Sequence, residues 1–232
     1  MNLSSSNSSS IKEQFEQDGY YIMRQLYSED EVEAFKQACI AIVKEHDPGR
    51  SGVLVGMTLR SELFKQATVK PPLVDALREI IGEHIVFLSD KVVLKNAGTD
   101  FGSPWHQDHP YWDGSHKFSV WIALDDAAPS NGCLRLVPGS HQQGTVSHDG
   151  DVADDLGFIN RIDTTHIADT DVVDFEARRG DAVIFHDLLF HASYPNVSGK
   201  ERWALITTYK DGSQEDPDYE WAGAAFVVSG GE

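Results

Sequence analysis

Cysteine is nearly absent: the 232 residues hold two, Cys39 and Cys133. They lie far apart in no metal-like spacing, which excludes a disulfide framework or a cysteine-ligated zinc and suits a reducing cytoplasmic compartment. Basic residues are also scarce, 19 against 37 acidic, for a formal net charge of −18. That balance argues against a nucleic-acid partner or docking on an anionic membrane. No apolar run approaches the length of a membrane span, and no charged start followed by an apolar core reads as a signal peptide. Internal repeats and linker-like stretches are missing too, so one domain over residues 11–232 is expected.

Residues 1–10, with the run "LSSSNSSS", carry almost no apolar area and read as a disordered tail. The Asn-x-Ser triplets at Asn2, Asn7 and Asn196 read as chance. Helices follow. "IKEQFEQD" predicts a short one, ended by Gly19 and followed by a strand. Ser28 and Glu31 form a capping box that opens "EDEVEAFKQACIAIVKEHD", where Val32, Phe35, Cys39, Ile42 and Val43 recur at helical spacing. A further helix is expected over "PPLVDALREIIGE".

From Ile85 the pattern changes to short strands bounded by Gly, Pro, Asn and Asp: "IVFLSDKVVLKN", "FSVWIAL", "CLRLVPG", "DVVDFEA", "DAVIFH", "WALITTYK" and "AAFVVS". Helices first and strands afterwards imply an α+β, mainly β chain, with a sandwich or jelly roll and helices packed on one sheet.

The stretch "WHQDHPYWDGSH" concentrates three histidines in twelve residues. In an extended strand His106 and Asp108 share a face, while Gln107 and His109 point away. An imidazole and a carboxylate are two corners of a 2-His-1-carboxylate site. The third corner should come from a distant strand, and "GDAVIFHDLLFHAS" offers His186 and His191. Ser193, Asn196 and Arg202 follow His191 at +2, +5 and +11. An arginine there can fork onto a carboxylate.

The ordered set "WHQDHPYW", "VWIALDDAAPSNGCLRLVPGSHQQG" and "GDAVIFHDLLFHASYPNVSGKERWALITTY" resembles the phytanoyl-CoA dioxygenase family of Fe(II)/2-oxoglutarate oxygenases, from about Phe15 to Tyr209. The resemblance implies a double-stranded β-helix with the metal inside. It implies His106, Asp108 and His191 as iron ligands, Arg202 and Ser193 on the distal carboxylate of 2-oxoglutarate, and Trp121 beside the cosubstrate. It further implies hydroxylation by O₂ coupled to release of succinate and CO₂. Asp108 separates such hydroxylases from related halogenases, which lack the carboxylate. The chain is shorter than many members, which implies a reduced lid and disfavours large acyl-CoA substrates.

Substrate residues are sought around this set. Ser89, Lys91 and Val93 share one strand face; inward, Lys91 brings a cation to the cavity, and in the opposite register Val92 and Leu94 are the buried set. His109, Tyr111 and Trp112 are candidates for the mouth, and Met57, Thr58 and Arg60 are weaker ones. Together they suggest a small polar or anionic metabolite. Asn131-Gly132 and Pro138-Gly139 read as turns, with His141 capping the second. His186 reads as lying outside the metal sphere, His46, His84, His148 and His166 as surface, and "SHDGDVADDLGF" as a solvated loop or part of a lid. Two other classes stay open. A non-catalytic jelly-roll sensor would keep the metal alone. A zinc hydrolase would use the same three ligands but gives Arg202 and Ser193 no role.

Overall fold

The fold is seen in a computed structural model that describes residues 9–47, 52–96, 102–149 and 160–230. Four α-helices among the described residues come largely first: α1 (Ile11–Asp18), α2 (Glu29–His46), α3 (Glu62–Thr68) and α4 (Pro71–Ile81). Each start has a local cause. Ser10 and Glu13 form a capping box on α1, so Ser10 belongs to the folded unit rather than to the tail, and Ser28 and Glu31 do the same for α2. Prolines occupy the first turn of α4, where a missing N–H costs nothing. Helix α3 escapes the sequence pattern because it is only seven residues long.

Among the described residues there are twelve strands, of which all but the short β2, β6 and β7 fall on predicted ones: β1 (Tyr20–Met23), β2 (Val53–Val55), β3 (Ile85–Lys95), β4 (Lys117–Ala123), β5 (Leu134–Leu136), β6 (His148–Asp149), β7 (Arg161–Ile162), β8 (Val173–Phe175), β9 (Ala182–His186), β10 (His191–Ser193), β11 (Arg202–Asp211) and β12 (Phe226–Ser229). They build an antiparallel major sheet in the order β1-β9-β4-β11-β3-β12, with β2 also on β3. A minor sheet runs β10-β5-β8, and β6 pairs with β7. The architecture is the expected jelly roll.

Two cores lie on opposite faces of the major sheet. On one face Val92, Leu94, Val120, Ile122, Ile184 and Leu205 pack against Phe35, Cys39, Leu73 and Leu77 of the helices. On the other, Trp121, Val183, Phe185 and Ala204 meet Leu134, Leu136 and Phe175 of the minor sheet. Cys39 is thus a core residue, as its helical spacing predicts. No helix among the described residues is long and apolar enough to cross a membrane.

One irregularity in β3 decides which face Lys91 occupies. Ile85 and Phe87 face the helices, and simple alternation would send Lys91 there as well. Opposite them the register slips between Thr208 and Tyr209: Thr208 pairs with Ser89 and Tyr209 with Phe87, leaving Leu88 unopposed. This bulge exchanges the faces. Beyond it Val92 and Leu94 take the helix side, and Ser89, Lys91, Val93 and Lys95 turn toward the space between the sheets.

Candidate metal and cosubstrate site

His106 and His191 exchange backbone hydrogen bonds across an isolated bridge, His106 N–H to His191 O at 3.0 Å and the reverse at 3.1 Å. Their rings lie 4.1 Å apart. Each Nδ1 is held by a nearby carbonyl, Pro104 for His106 (2.7 Å) and Leu189 for His191 (3.0 Å). Donation there makes Nε2 the lone-pair atom of each ring, and both Nε2 atoms lie 3.7 Å from Asp108 Oδ1. Burial, together with the neighbouring His191, brings the His106 pKa down to about 3, so its imidazole is neutral. Asp108 arrives by a different route from simple strand alternation. Its backbone is in the right-handed helical region (φ −77°, ψ −29°), at the cap of a 3₁₀ turn over His109–Tyr111. The turn, and a hydrogen bond from Ser119 Oγ at 3.3 Å, aim the carboxylate at the two imidazoles.

The second half of the site is cationic. Arg202 opens β11 directly opposite Lys95 at the end of β3. Arg202 is 1% exposed, and its Nε and Nη1 find no hydrogen-bond partner among the described residues. Its guanidinium lies over the Trp121 ring, 5.4 Å from the centroid. Lys95 Nζ donates to Ser193 Oγ at 2.8 Å and to the Tyr194 carbonyl. Burial, and then Arg202, pull the Lys95 pKa down to about 7, while burial lowers Arg202 to about 10. Two adjoining buried basic side chains, one of them with orphan donors, form a receptor for a carboxylate, since leaving the Arg202 donors unpaired costs free energy. Ser193 lies two residues beyond His191 on β10, so metal and anion corners share one strand.

Lys91 pairs with Ile206, which also pairs with Trp121. Its charge reaches the His106 imidazole, where it disfavours protonation. The Tyr111 ring stands edge-on to His106, 6.5 Å between centroids, and its hydroxyl accepts from Asn160 N–H. His109 and Trp112 are not gathered there: both turn to Asp187, at 3.3 and 3.0 Å. The weaker candidates are structural. Met57 is buried in the helical core, Thr58 bonds to Asp90, and Arg60 donates to the Val55 and Gly56 carbonyls.

Other histidines divide similarly. His141 does not cap its turn; its Nε2 approaches the Glu16 carbonyl of α1, while Ser140 Oγ accepts the distant Phe190 N–H. His186 stands outside the metal triad, beside Asp187. His46 and His84 are at the surface. The side chains of His148 and His166, and residues 150–159 of the acidic stretch, lie outside the described residues. Asn196 bonds to the Lys95 and Lys200 carbonyls and fixes the turn before Arg202.

Sequence pattern alone misses Lys95, Ser119 and Asp187. Lys95 had a signal, as it shares the Lys91 face two steps along the strand, and Ser119 sits two residues before Trp121. Asp187 had none.

The profile of the phytanoyl-CoA dioxygenase family matches residues 15–204. L-proline trans-4-hydroxylase of Streptomyces griseoviridis is 29% identical over 85% of this chain and 84% of its own. Ectoine dioxygenase of Stutzerimonas stutzeri is 25% identical over 86% and 75%. Among solved structures, an apo non-heme monooxygenase aligns with TM-score 0.79 and 24% identity over 96% of this chain and 85% of that one. The 2-oxoglutarate and 5-hydroxyectoine complex of EctD from S. alaskensis aligns with TM-score 0.72 and 18% identity over 89% and 77%. With a family profile spanning most of its length, the chain belongs to the phytanoyl-CoA dioxygenase family of Fe(II)- and 2-oxoglutarate-dependent oxygenases.

Proposed function

We propose that His106, Asp108 and His191 hold one Fe(II), that Arg202, Lys95 and Ser193 hold the distal carboxylate of 2-oxoglutarate, and that the enzyme hydroxylates a small polar metabolite bearing a carboxylate. The observation that carries this reading is Arg202: a buried guanidinium with two nitrogens unpartnered among the described residues, joined through Lys95 and Ser193 to the strand of His191. The donor set suits the metal, because two imidazoles and one carboxylate leave half of an octahedron open. A zinc hydrolase or a metal-only sensor has no use for the cationic half. The relatives that act on proline and ectoine support a small substrate.

When bound, iron and 2-oxoglutarate supply the oxidising power, with O₂ as oxidant and succinate and CO₂ as coproducts. The chain supplies geometry. Carbonyl contacts at Nδ1 fix both imidazole tautomers, and Ser119 steadies Asp108. Arg202 over Trp121 sets the orientation of the cosubstrate. Lys91 offers the substrate a positive charge beside His106, and Tyr111 walls the opening. A small anion suits this pairing, because a partly buried ammonium is stabilised by a counter-charge.

The test is succinate formation with Fe(II) and 2-oxoglutarate across a panel of free amino acids, cyclic imino acids, small carboxylates and acyl-CoA esters. A small carboxylate should raise succinate release. Lys91→Met should then increase its KM about tenfold with a smaller change in kcat, the signature of lost ground-state binding. Asp108→Ala should abolish hydroxylation. Stimulation by acyl-CoA esters alone, or full hydroxylation by Asp108→Ala, would overturn the assignment.

A further inference from the structure

Histidines outside the iron site are gathered around one carboxylate. His109, His116 and Asp187 each bring a donor atom within 4.8 Å of the others. The His109 and His116 rings are 5.2 Å apart, and those of His116 and His186 are 4.6 Å apart. The Asp187 side chain is fully buried. Its Oδ1 lies 3.0 Å from the Nδ1 of both His116 and His186. Its Oδ2 accepts from Lys117 N–H at 2.9 Å and Trp112 Nε1 at 3.0 Å, and faces His109 Nδ1 at 3.3 Å.

A buried carboxylate requires positive charge nearby. Among the described residues no lysine or arginine side chain bonds to Asp187. The nearby Lys117 ammonium turns instead to Ser115, Asp216 and Tyr219. His186 is poorly placed to donate a proton, because its Nδ1 already accepts Leu188 N–H at 3.1 Å. Two kinds of charge remain: a proton on a facing imidazole, His116 (where the hydrogen bond to Asp187 favours it) or His109, or a cation held jointly by His109, His116 and Asp187.

We propose the second: these three residues form a further divalent-metal site, of the zinc type, distinct from the iron site. Two imidazole nitrogens and a carboxylate are a donor set that Zn²⁺ accepts, with water completing the tetrahedron. Soft ligands are absent, so the set favours a borderline ion over copper(I). The His116 side chain is 47% exposed, so an ion can enter from solvent. The location gives the ion a role. His109 directly follows Asp108, and Asp187 precedes His191 by four residues. The Asp187 carbonyl already accepts the N–H groups of Asp108 (2.8 Å) and His109 (3.0 Å). An ion here clamps the two segments that present the catalytic ligands. The inference is independent of the iron assignment.

The experiment is equilibrium dialysis of the metal-stripped full chain against Zn²⁺ alone, followed by counting metal per chain. Wild type should bind two ions, the His106→Ala/Asp108→Ala double variant one, and His116→Ala one. The triple variant should bind none. His116 is half-exposed, and thermal melting checks that its variant folds; the wild-type count stands whether or not any variant does. A wild-type count of zero, or a wild-type count that His116→Ala keeps unchanged, overturns the site and assigns the charge at Asp187 to a proton on a facing imidazole.

Discussion

Lys95 shows how strongly one side chain is conditioned by its neighbours. Its ammonium is buried against Arg202, with Ser193 and the Tyr194 carbonyl as its hydrogen-bond acceptors and Cys133 close by. In the unfolded chain a lysine keeps its proton to about pH 10.4. In the fold Lys95 keeps it only to about 7. Between those values the unfolded state binds more protons, so this residue makes stability rise with pH across that window. Cosubstrate binding has the opposite sense. A carboxylate beside Arg202 favours the protonated amine, so binding takes up a proton above about pH 7. The KM for 2-oxoglutarate should therefore rise with pH from about 7 upward, by up to about tenfold per unit. Lys95→Met should bind the cosubstrate more weakly and with a flatter pH profile. Parallel profiles for the two proteins would remove Lys95 from the anion site.

At the scale of elements, β3 carries both the core and the site, and the junction is Asp90. Its Oδ1 accepts Met57 N–H at 2.7 Å and its Oδ2 accepts Thr58 N–H at 2.9 Å, which ties the loop after β2 to the sheet. Asp90→Ala leaves those two donors without acceptors and should cost about 2 kcal/mol, read as a lower urea midpoint at unchanged m. Burial pushes the Asp90 pKa up to about 6. A carboxyl raised in the fold contributes most below its unfolded pKa of about 3.9 and loses that contribution as pH rises. The stability gap between wild type and Asp90→Ala should thus narrow from about pH 4 to about pH 6. A gap that widens would contradict the burial. The same strand marks the limit of sequence reading. Its apolar content announces a strand, yet the bulge at Leu88 that turns Lys91 toward the cavity depends on pairing with β11, which is a tertiary property. His106 and Asp108 were legible as a pair, although the turn at Asp108, and not alternation along a strand, brings them together. Short elements such as β2 and α3 leave too few residues for periodicity to register.

For the whole molecule, one long major sheet separates two tasks. Its helix face supplies bulk stability, and its inner face holds cations in a chain whose net charge is −18. That contrast makes Arg202, Lys95 and Lys91 distinctive: basic side chains are few, and three of them occupy neighbouring positions on β3 and β11. The histidine positions were readable in order along the chain, but their grouping around Asp108 and around Asp187 was not, because it requires β10 and the segment before β4 to be brought together. The most direct measurement is an anaerobic titration of the Fe(II)-loaded protein with 2-oxoglutarate, following the visible charge-transfer band of the chelate. The wild type should develop a saturable band. His191→Ala should lose it, and Arg202→Ala should require about ten- to hundredfold more cosubstrate, as expected for losing a charged hydrogen-bonded pair of roughly 1.5–3 kcal/mol. A wild type that develops no band, or an Arg202→Ala variant with unchanged half-saturation, would contradict the assignment of metal and cosubstrate to these residues.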